Sequence, residues 1–152
     1  MSPISKSHID FMKQFIDDIN ALTAKLLKDV QDRYGISMEQ SNVLRLLSNN
    51  NALTISEITE KQGVNKAAVS RRIKKLIEAN LVKIEKSNHY IDQRLKYIKL
   101  TKLGQNYIEE SKSIISEIAN DMVGDLSSED IEQALKVLQK IDCRVKKFNN
   151  LK

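Results

Sequence analysis

The sequence predicts a mainly α-helical fold organised around a helix-turn-helix and a basic β-hairpin. Three observations carry that expectation. Glycine and proline are scarce, four and one in 152 residues, in a chain rich in Leu, Ile, Lys, Glu and Ala, a composition that favours helix. Apolar residues recur at three- and four-residue steps over most of the chain and give way to strict alternation only around residues 81–100. The stretch Thr54–Lys102 holds twelve Lys/Arg against five Asp/Glu, a net +7, while the remaining residues hold thirteen against fifteen, a net −2. A basic third inside a near-neutral chain is an electrostatic footprint for a polyanion.

The elements follow in order. A first helix is predicted from about Ile9 to Tyr34, with Met12, Phe15, Ile19, Leu22, Leu26 and Val30 on one face. Phe11, Ile16 and Leu27 widen that stripe, which points to packing against a second subunit, with a broad core face as the alternative. Gly35 supplies a left-handed stop. Ser37 and Gln40 form a capping box for a second helix reaching about Ser48, with Val43, Leu44, Leu46 and Leu47 inward. Asn49-Asn50-Asn51 reads as a loop. Thr54 and Glu57 make another capping box, opening a short helix that carries Ile55 and Ile58 and ends before Gly63. Asn65 caps the next helix, which turns Ala68, Val69, Ile73, Leu76 and Ile77 inward and stops near Asn80.

Leu81–Glu85 and Leu95–Leu100 are predicted strands, with Val82, Ile84, Ile98 and Leu100 alternating with charged residues around the loop Ser87–Arg94. Thr101 caps a fifth helix, running to about Met122 through Leu103, Tyr107, Ile114 and Ile118, and Gly124 ends it. Ser127 with Asp130 opens the last helix, whose one side carries Ile131, Leu135, Leu138, Ile141, Val145 and Phe148. Gly104 falls in the first turn of the fifth helix, at no boundary.

The chemistry concentrates in Thr54–Ala79, which has the spacing of a helix-turn-helix. With Val69, Ile73 and Leu76 toward the core, the second helix turns Lys66, Ala67, Ser70, Arg71 and Lys74 outward. Small residues beside long cations let a backbone approach base edges. Ala touches a thymine methyl, and Arg donates two bonds to guanine O6 and N7. Lys74 and Lys75 lie further along, where they suit phosphate. In the hairpin loop, Asp92-Gln93-Arg94 places a carboxylate to orient a guanidinium that can enter a narrow minor groove. The expected DNA-binding set is Thr54, Asn65, Lys66, Ala67, Ala68, Ser70, Arg71, Lys74, Lys75, Asp92 and Arg94.

Four passages carry a family resemblance: Gly63-Val64-Asn65-Lys66-Ala67-Ala68-Val69-Ser70-Arg71, Asn80-Leu81-Val82, Asp92-Gln93-Arg94, and Leu100-Thr101-Lys102-Leu103-Gly104. With the order of elements, they make almost the whole chain resemble the multiple-antibiotic-resistance regulator (MarR) family. Leu22–Asp29 and Gly63–Lys75 are similar to a staphylococcal branch of it. A Leu-Thr-x-x-Gly opening of the fifth helix is typical of that family. The resemblance implies a winged helix-turn-helix whose N- and C-terminal helices form a dimerisation hub. Residues 1–36 and 102–152 would be the hub and residues 37–101 the DNA-binding lobe. It further implies a homodimeric repressor on a pseudo-palindromic operator of double-stranded DNA, relieved by small anionic aromatic ligands. An effector carboxylate would want a cation near the lobe–hub junction, for which Arg71 and the polar Asn20 are candidates.

Other classes fit less well. Cys143 is the only cysteine, so an internal disulfide is excluded and a reducing, cytoplasmic setting is expected. A thiol-based redox response through Cys143 is the alternative regulatory reading. His8 and His89 lie far apart without cysteine or histidine companions, so no metal and no cofactor is expected. No Gly-rich phosphate loop or nucleophile–base pattern stands out, so an enzyme is not expected. A single-strand nucleic-acid-binding module would need stacking aromatics, and the hairpin offers only Tyr90 and Tyr97. An interaction scaffold without DNA would not need the charge asymmetry. No apolar run approaches the ~18–20 residues that span a bilayer, and residues 1–10 lack the form of a signal peptide.

Overall fold

A computed structural model describes residues 2–86 and 95–150. The elements are α1 (Lys6–Tyr34), α2 (Met38–Asn50), β1 (Ala52–Leu53), α3 (Ile55–Gln62), α4 (Lys66–Glu78), β2 (Val82–Lys86), β3 (Lys96–Leu100), α5 (Lys102–Val123) and α6 (Ser128–Asn149). The chain divides into two compact units, Met1–Ile115 and Ser116–Lys152.

In the first unit α2, α3, α4 and a three-stranded antiparallel sheet of order β1-β3-β2 enclose the core. Val43, Leu44, Ile58, Val69, Leu76, Leu81, Ile98 and Tyr107 are completely or almost completely buried there. Burial of this kind is worth about 1.5–3 kcal/mol per large apolar side chain. Among the buried polar groups, the Tyr107 hydroxyl lies 2.6 Å from Ser41 Oγ, joining α5 to α2, whereas Ser111 Oγ has no hydrogen-bond partner among the described residues. Tyr34 packs edge-on against Tyr107 at 5.1 Å, and Arg33 and Tyr34 both bond Glu110, so the end of α1 is tied to α5.

Several expectations are corrected. α1 begins at Lys6 rather than near Ile9, because Ser5 and His8 form a reciprocal cap. The stripe Met12, Phe15 and Ile19 is exposed; α1 buries only Leu27, Val30 and Gln31 near its C-terminal end. The polar tract does not unwind early: Asn49 and Asn50 stay in α2, and Asn51 alone makes the exit at φ +61°. Ala52–Leu53 then pairs with β3, Leu53 opposite Ile98, a strand too short for periodicity to reveal.

Ile77 and Ile84 do not face the core; they are 38% and 47% exposed. Ile84 shares a cross-sheet row with Ile98 and Leu53, but on the edge strand β2 it stays exposed while those two are buried. Leu103 and Met122 are likewise exposed, and Leu46, Ile114 and Ile118 only partly covered. In the second unit, α6 is capped by Ser127 as expected, yet none of its residues is buried. Leu135, Leu138, Ile141, Val145 and Phe148 on its apolar side are all exposed.

Candidate nucleic-acid interface

Each part of the helix-turn-helix is fixed by local chemistry. The Thr54 amide donates to Glu57 Oε1 at 3.0 Å and the Glu57 amide donates to Thr54 Oγ1 at 3.1 Å, closing the cap of α3. Thr54 is therefore committed to the helix start, and only part of it reaches solvent. Gly63 ends α3 at φ +65°, a left-handed conformation that a Cβ would strain, although the space around it is open. Asn65 Oδ1 then accepts from the Ala68 amide at 2.8 Å, capping α4 and leaving the Asn65 amide group free to donate outward.

α4 sorts its residues by side as its periodicity requires. Val69, Ile73 and Leu76 are buried, and Lys66, Ala67, Ser70, Arg71, Lys74 and Lys75 are exposed; Ala68 is half-buried. Arg72, next to Arg71, has a different duty: it donates to Gln62 Oε1 at 3.0 Å and locks α4 to the end of α3. The helix closes at Asn80, whose φ of +65° lets the Leu81 amide reach back to Leu76 O and its own amide to Ile77 O. Among the described residues, no ion pair engages Lys66, Arg71, Lys74 or Lys75. Their charge is unneutralised within the described chain.

The strand register adds residues that periodicity did not single out. Lys83 lies opposite Lys99 and Lys86 opposite Lys96. Like charges directly across a ladder repel. Glu85 offsets one pair through Lys99 at 3.4 Å, whereas Lys83, Lys86 and Lys96 have no acidic partner among the described residues. Only knowledge of the register, which depends on the hairpin loop, could have found them. Asp92 and Arg94 lie outside the described residues, as do His89 and Tyr90.

Two clefts among the described residues are lined by neither Asn20 nor Arg71. Asn20 is exposed on α1 and Arg71 exposed on α4. A cleft of about 430 Å³ between α2 and the α3–α4 turn is lined instead by Glu39, Asn42, Arg45, Lys61, Gln62 and Arg72, among others. A second, of about 230 Å³, lies between α2, β3 and α5, with Leu47, Asn51, Lys99 and Lys112 in its wall. Cys143 is exposed on α6. His8 is engaged in the α1 cap, where its Nδ1 accepts from the Ser5 amide. No helix among the described residues is long and apolar enough to cross a membrane.

The helix order and turn chemistry match known proteins. The profile described as MarR family fits residues 34–89. The HTH-type transcriptional regulator TcaR of Staphylococcus aureus strain Newman is 58% identical over 147 residues, 97% of each chain. The chain belongs to the MarR family. It is accordingly a transcriptional regulator with the winged helix-turn-helix fold, and the staphylococcal affinity of Leu22–Asp29 and Gly63–Lys75 extends along nearly its whole length. A MarR family protein from Bacillus stearothermophilus superposes with a TM-score of 0.77 at 17% identity, over 94% of this chain and 99% of that one. A Staphylococcus aureus MarR solved with salicylate and kanamycin gives 0.72 at 24% identity over 91% of each chain. Gly104, in the first turn of α5, packs directly on the backbone of Leu81 in the chain leaving α4.

Proposed function

We propose that this MarR family regulator is a homodimeric, sequence-specific repressor that binds a pseudo-palindromic operator in double-stranded DNA. The observation that carries this reading is the outer face of α4, where small Ala67 and Ser70 stand among unpaired Lys66, Arg71 and Lys74. That combination suits close approach to a major groove. Arg71 reads guanine, Lys74 and Lys75 hold phosphate, and Asn65 adds a phosphate contact through its free amide. Arg94, oriented by Asp92, takes the minor groove. The opposed lysines of β2 and β3 support a phosphate partner for the hairpin.

Residues 1–36 and 102–152 form the hub and 37–101 the lobe. The exposed apolar faces of α1 and α6, with Phe11 at 65% and Phe148 at 74%, support a second copy as their cover. The two recognition helices then stand about 34 Å apart, one turn of the duplex. A small anionic aromatic effector, of the kind bound by the salicylate-containing relative, relieves repression in the cytoplasm, with Arg71 and Asn20 as its contacts.

Footprinting on fragments near the chain's own gene, followed by titration with that duplex at several salt concentrations, tests this reading. With roughly 6–10 phosphates neutralised, affinity falls on the order of 10³–10⁵ between about 50 and about 200 mM salt. A flat salt response, or equal binding to the matching single strand, contradicts it.

A further inference from the structure

α2 passes into β1 through a single residue. Asn51 stands between Asn50, the last residue of the helix, and Ala52, the first of the strand, and it turns the chain at φ +61° and ψ −68°. That conformation lies close to the rare, strained form of the γ-turn, which is unfavourable for a residue with a Cβ. Strained joints of this kind concentrate at ligand clamps and switch segments. Asn51 also lines the cleft of about 230 Å³ between α2, β3 and α5.

That cleft combines buried apolar residues, Leu47 and Ile108, with a polar rim. Lys99 and Lys112 bring two ammonium groups, Glu109 one carboxylate, and Gln105 and Asn51 two carboxamides. Glu109 and Lys112 stand three apart on α5, yet no ion pair engages either among the described residues. Lys99 meets Glu85 at 3.4 Å, but the two side chains are 45% and 57% exposed, and a pair so solvated holds weakly. Lys99 can therefore exchange that partner for a ligand. Two cations against one acid favour an anion that also carries a hydrogen-bond donor. The volume falls below the ~300–1,000 Å³ of sites for drug-sized molecules, so the occupant has only a few carbons. Neither Asn20 nor Arg71 lines this cleft, which separates it from the effector contacts proposed above.

We propose that the cleft is a second ligand site, which takes a small hydroxy-dicarboxylate. The two carboxylates meet Lys99 and Lys112, the hydroxyl donates to Glu109, and the short carbon chain lies on Leu47 and Ile108. Ala52 pairs with Lys99 across the sheet, so a ligand that engages Lys99 and Asn51 also braces the joint and the strand it feeds.

The test titrates the isotope-labelled full chain with L-malate, succinate and inorganic phosphate at constant salt, and follows amide chemical shifts. L-Malate should saturate with a Kd on the order of 1 mM and shift the amides of Asn51, Lys99, Gln105 and Lys112. Succinate, which lacks the hydroxyl, should bind several-fold more weakly, and Lys112→Gln should weaken L-malate about tenfold or more. Lys112 is exposed, so the spectrum of that variant away from the cleft should match wild type. No saturable shift in the cleft up to ~20 mM L-malate overturns the proposal. So does a response to phosphate as strong as that to L-malate, or undiminished binding by Lys112→Gln. Shifts gathered around Asn20 and Arg71 instead would assign L-malate to the effector contacts and overturn it too.

Discussion

Gly104 lies directly against the backbone carbonyl oxygen of Leu81. A Cβ built on Gly104 would run into that oxygen and come within 3.2 Å of Leu100 Cδ2. The same carbonyl accepts the Thr101 amide at 3.1 Å, and Thr101 Oγ1 receives the Gly104 amide while donating to Asn80 O. The start of α5 is thus sewn to the chain leaving α4. Gly104→Ala gains up to about 1 kcal/mol in helix propensity. It meets backbone that cannot rotate away, so a net loss of about 1–3 kcal/mol is expected in urea denaturation. An unchanged midpoint would show that the junction has slack.

Tyr107 is fully buried, and its hydroxyl has one recorded partner, Ser41 Oγ at 2.6 Å. Tyr107→Phe leaves Ser41 buried without that bond, at a cost of about 1–3 kcal/mol. Adding Ser41→Ala should recover part of the loss. A double-mutant cycle on thermal unfolding measures the coupling, and strict additivity would show that the pair is not coupled.

Most of the helical frame could be read from caps and periodicity. Thr54 with Glu57, Gly63, Asn65 and Ser127 each mark an end by a chemistry that acts within four residues, so sequence alone exposes it. The misreadings lie where a non-local neighbour decides. Ile84 has the same alternating pattern as Ile98, and only its tertiary surroundings leave it uncovered. Gly104 has no local reason to be glycine; its reason is Leu81, twenty-three positions earlier. The paired lysines of the hairpin needed the register.

Arg71 and Lys74 share the exposed face of α4 but should fail differently. Arg71→Ala is expected to cost ~1–3 kcal/mol on the operator and to relax preference at one base position, as read by affinities for single-base operator variants. Lys74→Ala should weaken all duplexes alike and lower the salt slope by about one. Identical specificity profiles for the two variants would remove the distinction drawn between them.

Gln62→Ala should release Arg72 from α3 without touching the outward face. The bond is worth about 0.5–1.5 kcal/mol, and more for its charge. Operator affinity should therefore drop together with protection of α4 amides in hydrogen exchange. Loss of affinity with unaltered exchange would point to direct contact by Gln62 instead.

Tyr34 has its pKa raised above 10.0, first by desolvation, then by its bond to Glu110 and that carboxylate's charge. The folded chain holds the phenol proton more tightly than the unfolded chain does. The resulting stability is complete below the unfolded value near 10 and is lost as pH rises through the folded one. Wild type should lose stability faster than Tyr34→Phe above pH 10.0, with parallel curves below it. Superimposable alkaline curves in chemical denaturation would contradict the linkage.

Ala52 and Leu53 are two residues long as a strand, yet they continue directly from the exit of α2 and hydrogen-bond to β3. The hairpin is consequently moored at two places rather than hinged at its own base. A tilt of α2 would be conveyed as leverage through β1 to β3 and from there to β2, so the described strands of the hairpin would swing with that helix as one body.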